Sequence, residues 1–176
     1  MKEIWKDVPG CKSTYQISNL GRIRRLWPHK AATIRRLGKN PDGYYQFQTE
    51  LKTKITTHSI SRLVLTCFVG PPPKGRNFAD HISGDIEDNR VTNLRWVTRA
   101  QNNWNSKYRN GGVAPNVYRH KSGNYGVRIQ ANKKRINLGP FTTVKEASRA
   151  YADAVKKYHG EYAIRALAKP TGEEKE

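Results

Sequence analysis

The longest apolar stretch in the chain, Leu63 to Val69, is interrupted by Thr66 and halted by Gly70 and Pro71 to Pro73. A bilayer span asks for about 20 consecutive apolar residues, so no membrane segment is expected. The sequence of 176 residues holds one ordinary domain or a few small modules, at about 150 residues per domain. Short runs punctuated by glycine, proline and asparagine favour the modular reading.

Charge narrows the partner. Lysine and arginine number 33 against 14 aspartates and glutamates, a net charge of +19, which exceeds what solubility asks of a small chain. A polyanion is the expected partner. The first ten residues carry charges throughout and have no apolar core, so no signal peptide is read and a reducing cytosol is the expected compartment. Cys11 and Cys67 are too few for a zinc knuckle or a disulfide framework and are read as packing residues.

The charges are unevenly placed. From residue 8 to residue 79 the only acids are Asp42 and Glu50 among many bases, and then Asp80, Asp85, Glu87 and Asp88 fall close together. The basic part suits phosphates. Acids in such a protein repel its ligand unless a cation sits between them, although a solvated acidic loop is the plainer alternative.

Periodicity places these residues on elements. Tyr15 and Ile17 alternate with Gln16 and Ser18, Asn19-Leu20-Gly21 reads as a turn, and Ile23 sits between Arg22 and Arg24, which predicts a small basic sheet. Tyr44 to Leu51 and Lys54 to Thr57 predict a hairpin. Ser59 is placed to cap a helix with Leu63, Val64, Cys67 and Phe68 on one face. Phe78 to His81 and Leu94 to Val97 read as strands around a polar loop, and Thr98 with Gln101 forms a capping box that starts a short helix. Lys107 to Pro115 reads as a linker. Beyond it, Val117 to Arg119, Tyr125 to Gln130 and Arg135 to Leu138 predict a three-stranded meander. A helix follows, capped by Thr143 and Glu146, with Ala147, Ala150, Tyr151, Ala154, Val155 and Tyr158 on one face.

The spacing that carries chemistry is Asp80-His81, then Asn93, then Asn102. The run DHISGDIEDNRVTNLRWVTRAQNN resembles the HNH nuclease motif, in the subgroup of bacteriophage intron-encoded homing endonucleases. That resemblance implies a metal-binding role for Asp80, general-base duty for His81, a loop-fixing role for Asn93 at the catalytic centre and metal binding by Asn102, with Asn103 as the one-residue alternative. Relatives often carry histidine in the preceding helix, where Ser61 to Val64 stand here. Oxygen donors suit a hard ion, so magnesium is expected, with manganese possible and no zinc. Neighbours on a strand point to opposite sides, so His81 is better placed to take a proton from water than to share Asp80's ligand face. Asp85, Glu87 and Asp88 are read as loop surface and Trp96 as core rather than a stacking platform. His29, His58 and His159 are assigned no chemistry.

Two flanking resemblances complete the reading. EIWKDVPGCKSTYQISNLGRIRRL is similar to the nuclease-associated modular motif, and Arg22, Arg24 and Arg25 within it, Arg35 and Arg36 after it, and Arg95 are DNA-contact candidates. The segment from Asn116 to Ala163 resembles the DNA-binding domain of plant Apetala and ethylene-response factors. That implies base reading by the sheet face that carries Tyr118, His120, Arg128, Gln130, Arg135 and Asn137, opposite the helix-packing Val117, Val127, Ile129, Ile136 and Leu138.

The expected fold is α+β, with a ββα-metal centre and a C-terminal three-stranded antiparallel sheet packed on one helix. The expected modules are a nuclease-associated motif over 1–50, an HNH domain over 51–106, a linker over 107–115, the C-terminal DNA-binding domain over 116–168 and a charged tail over 169–176. The expected activity is site-specific hydrolysis of a DNA phosphodiester with one divalent metal, nicking one strand, by a monomer that takes double-stranded DNA and no small-molecule substrate, in the host cytoplasm if phage-encoded. The rival from another class is a non-catalytic, sequence-specific DNA-binding regulator.

Overall fold

The computed structural model describes residues 1–11, 14–51, 54–105, 116–131 and 134–163. The expected linker at 107–115 and the charged tail lie outside the described residues. The chain forms two compact units, Met1–Arg99 and Ala100–Glu176.

In the first unit, β1 (Trp5–Asp7), β2 (Tyr15–Ser18), β3 (Ile23–Trp27) and β4 (Lys30–Arg35) make a four-stranded antiparallel sheet in sequential order. The alternation of Tyr15 and Ile17 buries both, and Ile23 joins them across the β2–β3 turn. β4 is exposed along its whole length and was not anticipated. Its Lys-Ala-Ala-Thr-Ile-Arg run lacks the period-two contrast that marks a half-buried strand.

A second sheet joins β5 (Gly38–Lys39), β6 (Tyr45–Leu51) and β7 (Lys54–Ser59), with β6 and β7 paired as the expected hairpin. β7 runs directly into α1 (Ile60–Phe68). Ser59 occupies the N-cap position, but its hydroxyl lies 3.0 Å from that of Ser61 and caps no backbone amide. Ile60, Leu63, Val64 and Leu65 of α1 are buried against Ile17, Ile23 and Phe47, with the rings of Tyr15 and Phe47 edge to face at 5.2 Å. Gly70 ends the helix, its amide and that of Val69 both donating to the Leu65 carbonyl.

β8 (Phe78–His81) and β9 (Leu94–Val97) form a two-stranded antiparallel ribbon that α1 packs against. Trp96 is 6% exposed and its indole N–H donates to the Gly70 carbonyl at 3.0 Å, which makes it a core residue. α2 (Arg99–Trp104) starts directly after Thr98.

The second unit holds the antiparallel sheet β10 (Val117–Arg119), β11 (Tyr125–Ala131) and β12 (Lys134–Phe141), and α3 (Val144–His159). Val127 and Ile129 share one core with Ala147, Tyr151, Ala154 and Val155. Thr143 and Glu146 form the reciprocal capping box at the start of α3. The helical face differs from expectation in its last turn, where Tyr158 is exposed and His159 is buried. The Gln130 carbonyl explains this: His159 Nε2 meets it at 2.9 Å while the ring stacks on Trp104 at 4.2 Å. No helix among the described residues is long and apolar enough to cross a membrane.

Candidate nuclease centre and nucleic-acid faces

The ribbon brings four polar side chains into the interior. Asp80, His81, Asn89 and Asn93 are 6%, 4%, 6% and 8% exposed, a cost that hydrogen bonds must offset. Asn93 does so with both ends of its amide. Its Oδ1 accepts the Ser83 N–H at 2.8 Å and its Nδ2 donates to the Asp88 carbonyl at 2.8 Å, closing the loop on itself. Its backbone carbonyl also accepts the Ile82 N–H at 2.8 Å. Asn93 thus spans the loop rather than facing a reacting group through its side chain.

His81 ends β8, and its Nε2 lies 3.3 Å from Asn89 Oδ1. The Asn89 Nδ2 donates to the Glu87 carbonyl, which turns the amide oxygen towards the ring. An amide oxygen only accepts, so a neutral His81 carries its proton on Nε2 and its lone pair on Nδ1. Burial holds the imidazole below its ordinary pKa of 6.5, outweighing the opposing pull of Asn89 and of Asp80, Asp85 and Asp88. The tilted ring of Tyr44 lies 6.0 Å away.

Asp80 stands opposite Arg95 in the ribbon register, and Arg95 Nε donates to its Oδ2 at 2.8 Å. The remaining acids shape the loop. Asp85 Oδ1 accepts the Glu87 N–H, Asp88 pairs with Arg90, and Glu87 pairs with Lys39. Among the described residues no group of three or more histidine, cysteine, aspartate or glutamate side chains could hold a metal. Asn102 lies on α2, in the second unit by the division at Arg99, so its pairing with Asp80 rests on sequence spacing and resemblance.

Sequence reasoning missed Asn89, Asn19 and Gly21. The Asn19 Oδ1 accepts the Ile4 N–H at 2.8 Å and its carbonyl accepts the Val91 N–H at 2.9 Å, tying the opening strand and the β8–β9 loop to one turn. Gly21 has φ +82°, and a Cβ there would lie 2.7 Å from Asn89 Cβ and 3.1 Å from its carbonyl oxygen. The turn therefore backs the residue that orients His81. Nothing in the Ser18 to Gly21 turn sets it apart in sequence from an ordinary hairpin connection, so its contact with the later loop left no local signal.

The arginines of the first sheet are held rather than loose. Arg22 pairs with Glu3, and Arg24 bonds Gln16 Oε1 at 2.9 Å while lying 4.4 Å from the Trp5 ring. Arg25 stacks on Trp27 at 4.1 Å, while Arg35 and Arg36 are exposed. In the second unit, Arg128 pairs with Asn137 and Gln130 with Arg135 across β11 and β12, and Arg128, Gln130, Arg135 and Asn137 are all exposed on the face turned away from the core. Arg128 lies 4.9 Å from the Tyr118 ring, which lies 4.9 Å from that of His120. Gly126 makes room, because a Cβ there would meet the Tyr118 ring at 2.7 Å and His120 at 2.8 Å.

A buried aspartate and histidine thus stand at the end of a two-stranded ribbon, beneath a loop clasped by asparagine. Residues 59–104 match the HNH endonuclease family and residues 3–48 match the NUMOD4 motif. The chain is 36% identical over 106 residues to an uncharacterised HNH endonuclease of Acanthamoeba polyphaga mimivirus, covering 57% of this chain and 25% of that one. It is 33% identical over 98 residues to DNA endonuclease I-HmuI of Bacillus phage SP01, covering 56% of this chain and 54% of the phage enzyme. The chain thus spans from a quarter to about half of these relatives. A solved structure of DNA binding and cleavage by the HNH homing endonuclease I-HmuI aligns with a TM-score of 0.53 and 25% identity over 89% of this chain and 94% of that one.

Proposed function

We propose that the protein is a site-specific HNH DNA endonuclease of the homing type, which hydrolyses one phosphodiester of double-stranded DNA and leaves a nick. The observation that carries this is the His81 geometry. It is a buried imidazole with a lowered pKa, its Nε2 proton held by Asn89, beside a buried carboxylate in a strongly basic chain. A neutral histidine held in fixed geometry is suited to remove a proton from an attacking water.

The Asp80 carboxylate would suit one hard divalent ion, magnesium or manganese, with Asn102 as the second ligand that the resemblance implies. The Asp80 carboxylate already receives a cation, the Arg95 guanidinium. When bound, the ion supplies Lewis-acid stabilisation of the negative charge that develops on the leaving oxygen. The chain's own residues do the rest. Asn93 keeps the loop closed, Asn89 sets the tautomer of His81, and Gly21 and Asn19 support that loop from the first sheet. The arginines of β3 and β4 bind phosphates, and Tyr118, His120, Arg128, Gln130, Arg135 and Asn137 read bases as an Apetala-type module.

The test is incubation of the chain with supercoiled DNA carrying genomic fragments, with and without magnesium. Nicked circles at one locus, absent in chelator, are the expected product. Tight site-selective binding with no strand scission under either condition would replace the nuclease with the DNA-binding regulator.

A further inference from the structure

Resting on the nuclease reading, we propose that Arg95 couples the metal to the DNA, so that the divalent ion occupies the Asp80 site strongly only when a phosphodiester is present. Asp80 and Arg95 are cross-strand partners on one face of the ribbon, joined at 2.8 Å, with side chains 7% and 15% exposed. Poor access of water strengthens every charge interaction there. In the free protein the guanidinium neutralises the carboxylate.

A divalent ion that joins this pair brings two positive charges beside a third that cannot be discharged, since arginine keeps its proton. With one carboxylate between them, ion and guanidinium repel. A phosphodiester removes the conflict. It adds a negative charge, and the planar fork of arginine matches two phosphate oxygens. The residue that restrains the metal in the free protein then holds the substrate in the complex. Such a device keeps a basic nuclease from carrying a loaded metal centre away from its DNA.

Manganese binding to the full chain, read by electron paramagnetic resonance with and without a short mixed-sequence duplex at low salt, tests this without relying on cleavage. For the wild type the duplex should tighten manganese by about tenfold or more, and by reciprocity manganese should tighten the duplex by the same factor. Arg95→Gln should bind manganese about tenfold tighter without DNA and lose most of the duplex-dependent gain, because the like charge is gone. Arg95→Lys, which keeps the charge but not the fork, should stay near the wild type without DNA. A merely structural bridge gives the opposite sign, since Arg95→Gln would then bind manganese more weakly under both conditions, and that result overturns the proposal. Should Arg95→Gln fail to fold, the wild-type measurement decides, because manganese and duplex binding independently of one another also overturns it. Manganese binding with unchanged coupling in Arg95→Gln defeats the Arg95 role alone, whereas a folded wild type that binds duplex but no manganese defeats the metal-nuclease reading with it.

Discussion

The β8–β9 ribbon and the β10–β12 sheet are both short antiparallel structures rich in polar residues, and they treat those residues in opposite ways. The ribbon buries Asp80, His81, Asn89 and Asn93 and satisfies them with hydrogen bonds and an ion pair. The sheet buries Val127 and Ile129 on one face and turns Arg128, Gln130, Arg135 and Asn137 outward on the other. The proposed proton abstraction needs a neutral imidazole in fixed geometry, which burial and the Asn89 hydrogen bond supply. The proposed reading of bases needs donors and acceptors that reach out of the protein, which a sheet with one covered face supplies. Polar residues alone do not mark a function; the side of the fold on which they end does.

The sharpest way to break this contrast is at the ribbon. Asp80→Ala should abolish metal-dependent nicking while leaving metal-free DNA binding in place, and His81→Ala should slow single-turnover nicking by about 10²- to 10⁴-fold with little change in affinity. A collapse of DNA affinity in His81→Ala would make the histidine structural. The wild-type rate should also fall with acidity only below the ordinary histidine pKa of 6.5, because burial lowers the pKa of His81. The same sign applies to stability. Burial lowers both His58 and His81, so their contribution is full above the unfolded pKa and is lost as pH falls through the lower folded values. Urea melts across that window check it, and a midpoint unchanged or rising with acidity would contradict it.

Gly21→Ala tests whether the first sheet belongs to the centre. The positive φ alone costs about 1 to 3 kcal/mol for a residue with a Cβ, and the clash with Asn89 should cut the nicking rate as well as the melting temperature. Normal nicking in a folded Gly21→Ala would sever the proposed support of His81 from that turn. Asn93→Ala should cost a similar amount, about 1 to 3 kcal/mol for a buried group left unsatisfied, read by chemical denaturation. On the sheet, Arg128→Ala or Arg135→Ala should relax base preference by about 1 to 3 kcal/mol at a few positions, measured by binding selection, with the nick unmoved. If either variant changed only the chemical rate, the sheet would not be the reader. The smallest effect is expected for Thr143→Ala, about 0.5 to 2 kcal/mol of second-unit stability through loss of the capping box, with no change in nicking on non-target DNA.

Much of this was legible because strand and helix periods are local. Alternation from Val117 to Leu138 separates the two faces of the second sheet by residue type alone, and Thr143 with Glu146 announces α3 from a spacing of three. The spacing from Asp80 to Asn102 was legible for the same reason, since its residues sit on two strands, a loop and a helix that follow one another. The last turn of α3 escaped because the face there is set by a carbonyl of β11, which exchanged Tyr158 for His159. β4 escaped because an edge strand exposed on both faces has no pattern to read.

The sequence by itself determined which residues could do chemistry and which elements would carry them, because residue type, strand alternation and helical spacing are properties of neighbours in the chain. Tertiary structure decided how those residues are tuned. The Asn89 oxygen at His81, the Gly21 turn against Asn89 and the Arg95 guanidinium on Asp80 join residues of different turns, loops and strands. Charge, tautomer and burial depend on such neighbours in space, and those exist only once the chain has folded.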